Sequence, residues 1–158
     1  MAIAPIFKKK YPITQKYGNK LIINGKEFYK QFWFASHMWV DFWTPVGTEI
    51  LAWIDGQVEV VNDWSKGYGL HIKIIKQRPD WLTWLLYAHL SETFVKNGDT
   101  VTAWQSIGKT GNTGASTWPH LHLGLRLRNK EGKILNEDNG NKWWVDAMPY
   151  FQGNYFIA

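Results

Sequence analysis

The stretch His120-Leu121-His122-Leu123-Gly124-Leu125-Arg126-Leu127-Arg128 constrains this chain more than any other. Its alternation is unbroken, and a period of two is the period of a β-strand. Leu121, Leu123, Leu125 and Leu127 share one face, which must be the buried one. His120, His122, Gly124, Arg126 and Arg128 share the other. A half-buried strand ordinarily carries Thr, Lys or Glu on its polar face. Two adjacent histidines need a further reason, and a metal or a catalytic pair supplies one.

The rest of the chain repeats the strand signal. Turn residues recur at short spacing: Gly18-Asn19, Asn24-Gly25, Asp55-Gly56, Lys66-Gly67, Asn97-Gly98 and Gly111-Asn112. Between them lie β-prone runs at Ile50 to Ile54, Gln57 to Val61, Leu70 to Lys76 and Thr83 to Ala88. Many short strands joined by Gly-rich turns predict an all-β fold, mainly antiparallel sheets with little helix. A short helical turn is expected at Ala103 to Ile107. With 158 residues, positions 1–158 suit a single domain. The longest apolar run, near Trp81 to Leu90, is too short for a transmembrane segment. The N-terminal lysines follow rather than precede a very short apolar stretch, so no signal peptide is expected.

The absence of cysteine excludes disulfides, thiolate zinc sites and cysteine nucleophiles. Chemistry then falls to five histidines: His37, His71, His89, His120 and His122. A hydrolytic zinc site uses three His or carboxylate ligands and leaves a fourth position for water. A further imidazole can take the water's proton and return it to a leaving amine. His37 and Asp41 in SHMWVDF, and His89 in LYAHL, offer such groups. Taken singly, the first is equally a surface pair and the second a satisfied core histidine. The His120/His122 pair is more specific.

Taken together in order, His-x-x-x-Asp, Tyr-x-His-Leu and His-x-His resemble the lysostaphin-like (LytM-type) zinc metallopeptidases that cut bacterial cell walls. HMWVDFWTPVGTEILAWIDG is similar to that family's His-x-Gly-x-Asp, its Pro-x-Gly-Thr turn and its strand ending in Asp-Gly. YAHLS, KNGDTVTAWQSIGKTGNTG and ASTWPHLHL match further blocks, with PITQKYG as entry strand and VDAMPY as exit. The resemblance implies a catalytic domain with a cleft over its sheet. It implies one zinc ion per chain, held by His37, Asp41 and His122, and an unliganded catalytic pair, His89 and His120. The implied reaction is hydrolysis of peptide bonds in peptidoglycan, as a phage-type lysin or an autolysin. The implied place of action is the bacterial cell wall, on its extracellular or periplasmic side; the missing signal peptide suits either a protein made in the cytoplasm and released at lysis or an excised domain of a longer secreted enzyme. Trp39 and Trp118 stand where the family usually has Gly, and Gly124 where it often has an acidic residue. Tyr29, Trp39, Trp118 and Arg126 are the expected substrate-binding residues.

His71, in a strand of its own, is expected to be structural. Asp55, Asp63 and Asp99 sit in turns, Lys8 to Lys10 form a solvated run, and Trp143-Trp144 packs the terminus on the sheet. A net charge of +5 favours polyanions without choosing among them. Nucleic acid is not an expected partner, because no motif supports it. VKNGDTVTAWQSIG resembles half of a lipoyl-type carrier, but no modifiable lysine lies between methionines. A non-catalytic wall-binding module would dispense with the ligands that are present here.

Overall fold

In a computed structural model, residues 5–32, 34–131, 133–134, 144–150 and 155–157 are described. Among them are twelve strands: β1 (Tyr11–Gln15), β2 (Ile22–Ile23), β3 (Lys26–Glu27), β4 (Val40–Trp43), β5 (Glu49–Leu51), β6 (Gly56–Asn62), β7 (Leu70–Gln77), β8 (Trp81–Thr93), β9 (Thr100–Val101), β10 (Ser106–Thr110), β11 (His120–Asn129) and β12 (Tyr155–Ile157). Two short 3₁₀ turns, Phe28–Phe32 and Met148–Tyr150, are the helical content. No helix among the described residues is long and apolar enough to cross a membrane.

Ten strands form one sheet in the order β12-β1-β4-β11-β8-β7-β6-β9, with β10 pairing β5 and β8. All its pairings are antiparallel except β1 with β12. The expected all-β, mainly antiparallel class is therefore observed. The alternating strand of the sequence is β11, placed between β4 and β8 near the middle of the sheet.

Its leucine face behaves as expected. Leu121, Leu123 and Leu125 enter the main core with Phe7, Val40, Phe42, Ile72 and Tyr87. Each contributes roughly 1.5–3 kcal/mol by leaving water. The histidine face is covered too: His120 and His122 are both buried. A second, smaller apolar cluster lies on this side, made by Met38, Leu86, Ala88 and Trp144 with Trp39 and Tyr68 against it. Trp144 thus packs on the sheet as expected, while Trp143 lies outside the described residues.

Two local expectations need correction. Ala103 to Ile107 is not helical: Ala103 and Trp104 make a turn, and Ser106 starts β10. Pairing of β10 with both β5 and β8 supplies the hydrogen bonds that a helical turn would have made. The strand expected over Ile50 to Ile54 ends at Leu51, where Ala52 instead bonds the turn: Ala52 N–H donates to Gln105 O at 2.8 Å. The aspartates do serve turns. Asp55 accepts from Ala103 N–H at 2.9 Å and Asp99 from Lys96 N–H at 2.9 Å.

Candidate metal centre and catalytic cleft

Three neighbouring strands supply the site. In β4 the pleat sends Val40 and Phe42 into the core and turns Asp41 to the opposite face. In β11 the same pleat presents His120 and His122. The register sets His122 opposite Asp41 and His120 opposite Trp43. His37 precedes β4; its backbone N–H bonds Asn19 O and its carbonyl accepts from Gly18 N–H, each at 2.8 Å.

His89 reaches this face by a device that the alternation of β8 hides. Leu85 and Tyr87 point into the core while Leu86 and Ala88 join the other face. His89 would next point into the core. Instead its φ is 61°, the left-handed region that non-glycine residues seldom adopt. The pairing with β7 skips here, from Leu90↔Leu70 to Tyr87↔Ile72. This bulge inserts one extra residue and turns the imidazole onto the site face. Leu90 returns to the core.

Asp41 is the centre of the arrangement. Its Oδ1 lies 2.6 Å from His122 Nδ1 and its Oδ2 lies 3.1 Å from His37 Nε2. His120 Nε2 is further off, 3.9 Å from Oδ2. Exposures of 2% for His37 and 6% for Asp41 and His122 exclude bulk water. Burial alone would raise the Asp41 pKa, but the His122 and His37 charges and their hydrogen bonds hold it well below the usual carboxylate range. Burial also pushes His122 down to about 4, against the pull of Asp41.

Two sets of donors converge within 4.8 Å: His37, Asp41 and His122, and His89, His120 and His122. The first fits a divalent cation better. A buried carboxylate anion needs a compensating positive charge, and the groups paired with Asp41 are all imidazoles. Donors of a tetrahedral zinc lie about 3.3 Å apart; the His37–Asp41 separation of 3.1 Å is close to that, and the 2.6 Å between His122 and Asp41 is a hydrogen bond that a cation would replace. The imidazole atoms that face Asp41, and would serve as donors with it, are His122 Nδ1 and His37 Nε2. His37 Nδ1–H donates to Lys16 O at 3.2 Å, which fixes the ring with Nε2 toward Asp41.

His89 and His120 are held alike. His89 Nδ1 lies 2.7 Å from Thr113 O, and His120 Nδ1 lies 2.8 Å from Trp118 O. A carbonyl only accepts, so each Nδ1 carries a proton, and Nε2 is the atom left to face the site. The two rings stand 4.8 Å apart. Burial, with the His122 and His120 charges, pushes His89 down to about 3. It is neutral near pH 7, the state a general base requires.

The expected substrate residues are less uniform. Tyr29 stands beside His37, its ring 5.5 Å away, and donates its hydroxyl to Gln15 Oε1. Burial and the Asp41 charge push its phenol up to about 12. Trp118 is exposed, its ring 6.4 Å from His120. Trp39 is half-buried, its ring 4.0 Å from His122 and 5.6 Å from both Tyr68 and Trp144. Its indole occupies the space where a Gly124 side chain would be. It therefore stands between His122 and Arg126, whose guanidinium lies 4.2 Å over Trp144. His71 is buried, with Nδ1 2.9 Å from Gly69 O. Sequence reasoning missed Tyr68 and Trp43. Trp43 was legible, since it follows Asp41 by two residues and so shares its face.

The loop carrying Trp118 is seated by glycine. Gly69 and Gly114 approach so closely that a Cβ on Gly114 would meet Gly69 N at 2.3 Å. That contact brings Thr113 O to His89.

A model of peptidase family M23 matches residues 35–136. The chain is 34% identical over 124 residues to the peptidoglycan DD-endopeptidase ShyA of Vibrio cholerae, covering 78% of this chain and 27% of that protein. It is 41% identical over 118 residues to the glycyl-glycine endopeptidase ALE-1 of Staphylococcus capitis, covering 75% and 30%. It thus spans under a third of the length of these relatives. The catalytic domain of lysostaphin from Staphylococcus simulans superposes with a TM-score of 0.63 at 32% identity, covering 89% of this chain and 91% of that one.

Proposed function

The chain belongs to peptidase family M23, and from that premise we propose that it acts as one catalytic domain, a zinc endopeptidase that hydrolyses peptide bonds in bacterial peptidoglycan. The bonds lie in stem peptides or cross-bridges, and the place of action is the cell wall. The observation that carries the proposal is the buried His37–Asp41–His122 donor set beside two imidazoles whose Nδ1 atoms are committed to carbonyls.

His37, Asp41 and His122 would hold one zinc ion per chain. When bound, zinc supplies Lewis acidity toward the scissile carbonyl and toward water. The remaining chemistry belongs to the chain's own side chains. His89 or His120 accepts at Nε2 the proton of the attacking water and returns it to the leaving amine. The other imidazole, when it has taken a proton from solvent at Nε2 before the attack, donates that N–H to the developing oxyanion. The carbonyls of Thr113 and Trp118 keep both rings in the required tautomer. Tyr29, a protonated phenol beside His37, is assigned to hold the substrate carbonyl. Trp118 and Trp39 line the cleft, and Arg126 meets substrate carboxylate only at its outer end.

The test is mass spectrometry of fragments released from purified peptidoglycans of several cross-bridge types. New peptide amine termini are expected with zinc-loaded protein and not after chelation. His122→Ala is expected to lose stoichiometric zinc. His89→Ala is expected to keep it while losing roughly 10²–10⁴ in kcat. Zinc-loaded protein that cuts none of the peptidoglycans would refute the substrate assignment.

A further inference from the structure

Tryptophans are divided unevenly between the two ends of the cleft. At one end Trp39, Tyr68 and Trp144 pack on one another and close the groove over Gly124. At the other, beside His120, the indoles face water. Trp43 is 49% exposed, Trp118 47% and Trp64 78%.

Placement, not chance exposure, accounts for the first two. Trp43 shares the face of Asp41 and is the cross-strand neighbour of His120. Trp118 lies two residues before His120 and gives its carbonyl to that ring. Trp64 is tied to the same region: its carbonyl accepts from Gly114 N–H at 3.1 Å. Its backbone is left-handed, with φ 57°, a conformation that a bulky residue holds only under constraint. Here the constraint presents the largest apolar side chain to solvent.

The surroundings define the ligand. Residues 44–48 and 111–119, which border Trp43 and carry Trp118, contain no charged side chain. They offer instead hydroxyl and amide groups: Ser116 donates to Asn112 Oδ1 at 2.7 Å, and both are solvent-facing. A charged stem peptide or an anionic polymer would call for Lys, Arg or carboxylate partners. Flat indole faces bordered by neutral hydrogen-bonding groups suit a neutral pyranose, which has an apolar C–H face and a polar rim.

We propose that Trp43 and Trp118 form a sugar-binding subsite that grips the glycan strand next to the peptide being cut, with Trp64 as its outer edge. The inference rests on the peptidoglycan reading above and adds that the enzyme recognises glycan as well as peptide. The cleft is then polar in direction, closed by Trp39 and open toward glycan past His120.

The test uses zinc-loaded protein and two readouts. In the first, the N-acetylglucosamine tetramer is titrated while the indole N–H resonances are followed by NMR. Those of Trp43 and Trp118, identified from Trp43→Phe and Trp118→Phe, are expected to shift saturably. In the second, kcat/KM is compared on peptides attached to glycan and on the same peptides freed by an amidase. Trp43→Ala and Trp118→Ala are each expected to lose about three- to tenfold on the attached substrate, mostly in KM. On free peptides Trp43→Ala keeps the wild-type rate, Trp118→Ala loses less than on the attached substrate because its indole also lines the peptide cleft, and zinc content is unchanged in both. Equal losses on both substrates, no loss on either, or no saturable shift would overturn the subsite. If wild type cuts neither substrate, the peptidoglycan reading fails, and the tetramer titration alone decides the subsite.

Discussion

Gly124→Ala should disturb the metal centre although Gly124 is no ligand. Its φ lies outside the left-handed region, so the backbone accepts alanine. The added Cβ does not fit. It would meet Trp39 Cδ1 at 2.4 Å, Trp144 Cζ3 at 2.6 Å and Trp39 Nε1 at 2.7 Å. Carbon atoms rest at about 3.5–4.0 Å, so the Trp39 ring must retreat by about 1 Å. Its retreat is blocked by His122 at 4.0 Å and by Tyr68 and Trp144 at 5.6 Å. Overpacking of this kind costs about 1–3 kcal/mol. For a chain of this size that lowers Tm by about 3–10 °C. Because His122 is among the groups displaced, zinc affinity should also fall, by about 10–100-fold. Calorimetry and competition with a chromophoric chelator measure the two effects. Trp39→Gly removes two of the three close contacts and leaves Trp144 room to shift into the vacated space, so in the double variant the alanine should cost less than in the single one. The coupling energy of the cycle should exceed about 1 kcal/mol. Strict additivity, or Gly124→Ala with wild-type Tm and zinc affinity, would show that the indole is not wedged between Gly124 and His122.

Two other outcomes follow from buried polar groups. Tyr87 is fully buried, and its hydroxyl accepts from Trp53 N–H at 2.9 Å. Tyr87→Phe removes that acceptor and should cost about 1–3 kcal/mol in urea unfolding, while kcat stays unchanged. The second concerns pH in chelated protein. His89 at about 3 and His122 at about 4 lie below the unfolded value near 6.5. The unfolded chain therefore takes up protons that the native state refuses. Stability should be full above about pH 6.5 and fall steadily toward pH 4, with the depressed Asp41 adding to the loss at lower pH. A urea midpoint that is constant between pH 7.5 and 4.5 would contradict this.

Much of the site was legible because β-strands report their faces in sequence. The leucines of β11 located the core, and the pleat then required His120 and His122 to lie together. The same rule, applied to Asp41 and Phe42, orients β4 and would have revealed Trp43. What the alternation could not convey was a break in it. His89 reaches the site only through a bulge, and nothing in LYAHL marks the extra residue. Nor does composition reveal that Trp39 and Gly124 are complementary, since they meet only when β4 and β11 pair. Ala103 to Ile107 carried no strand pattern because β10 draws its hydrogen bonds from two separate partners.

Asp41, His120, His122 and His89 sit on β4, β11 and β8, three adjacent strands in the interior of the ten-stranded sheet, and His37 lies just before β4. Interior strands exchange their amide hydrogens last, because their backbone bonds open only with the whole domain. The chemistry is thus mounted on the part of the chain that yields last. Loss of activity on heating should coincide with global unfolding and not precede it, leaving no temperature range in which a folded population is present but catalytically dead.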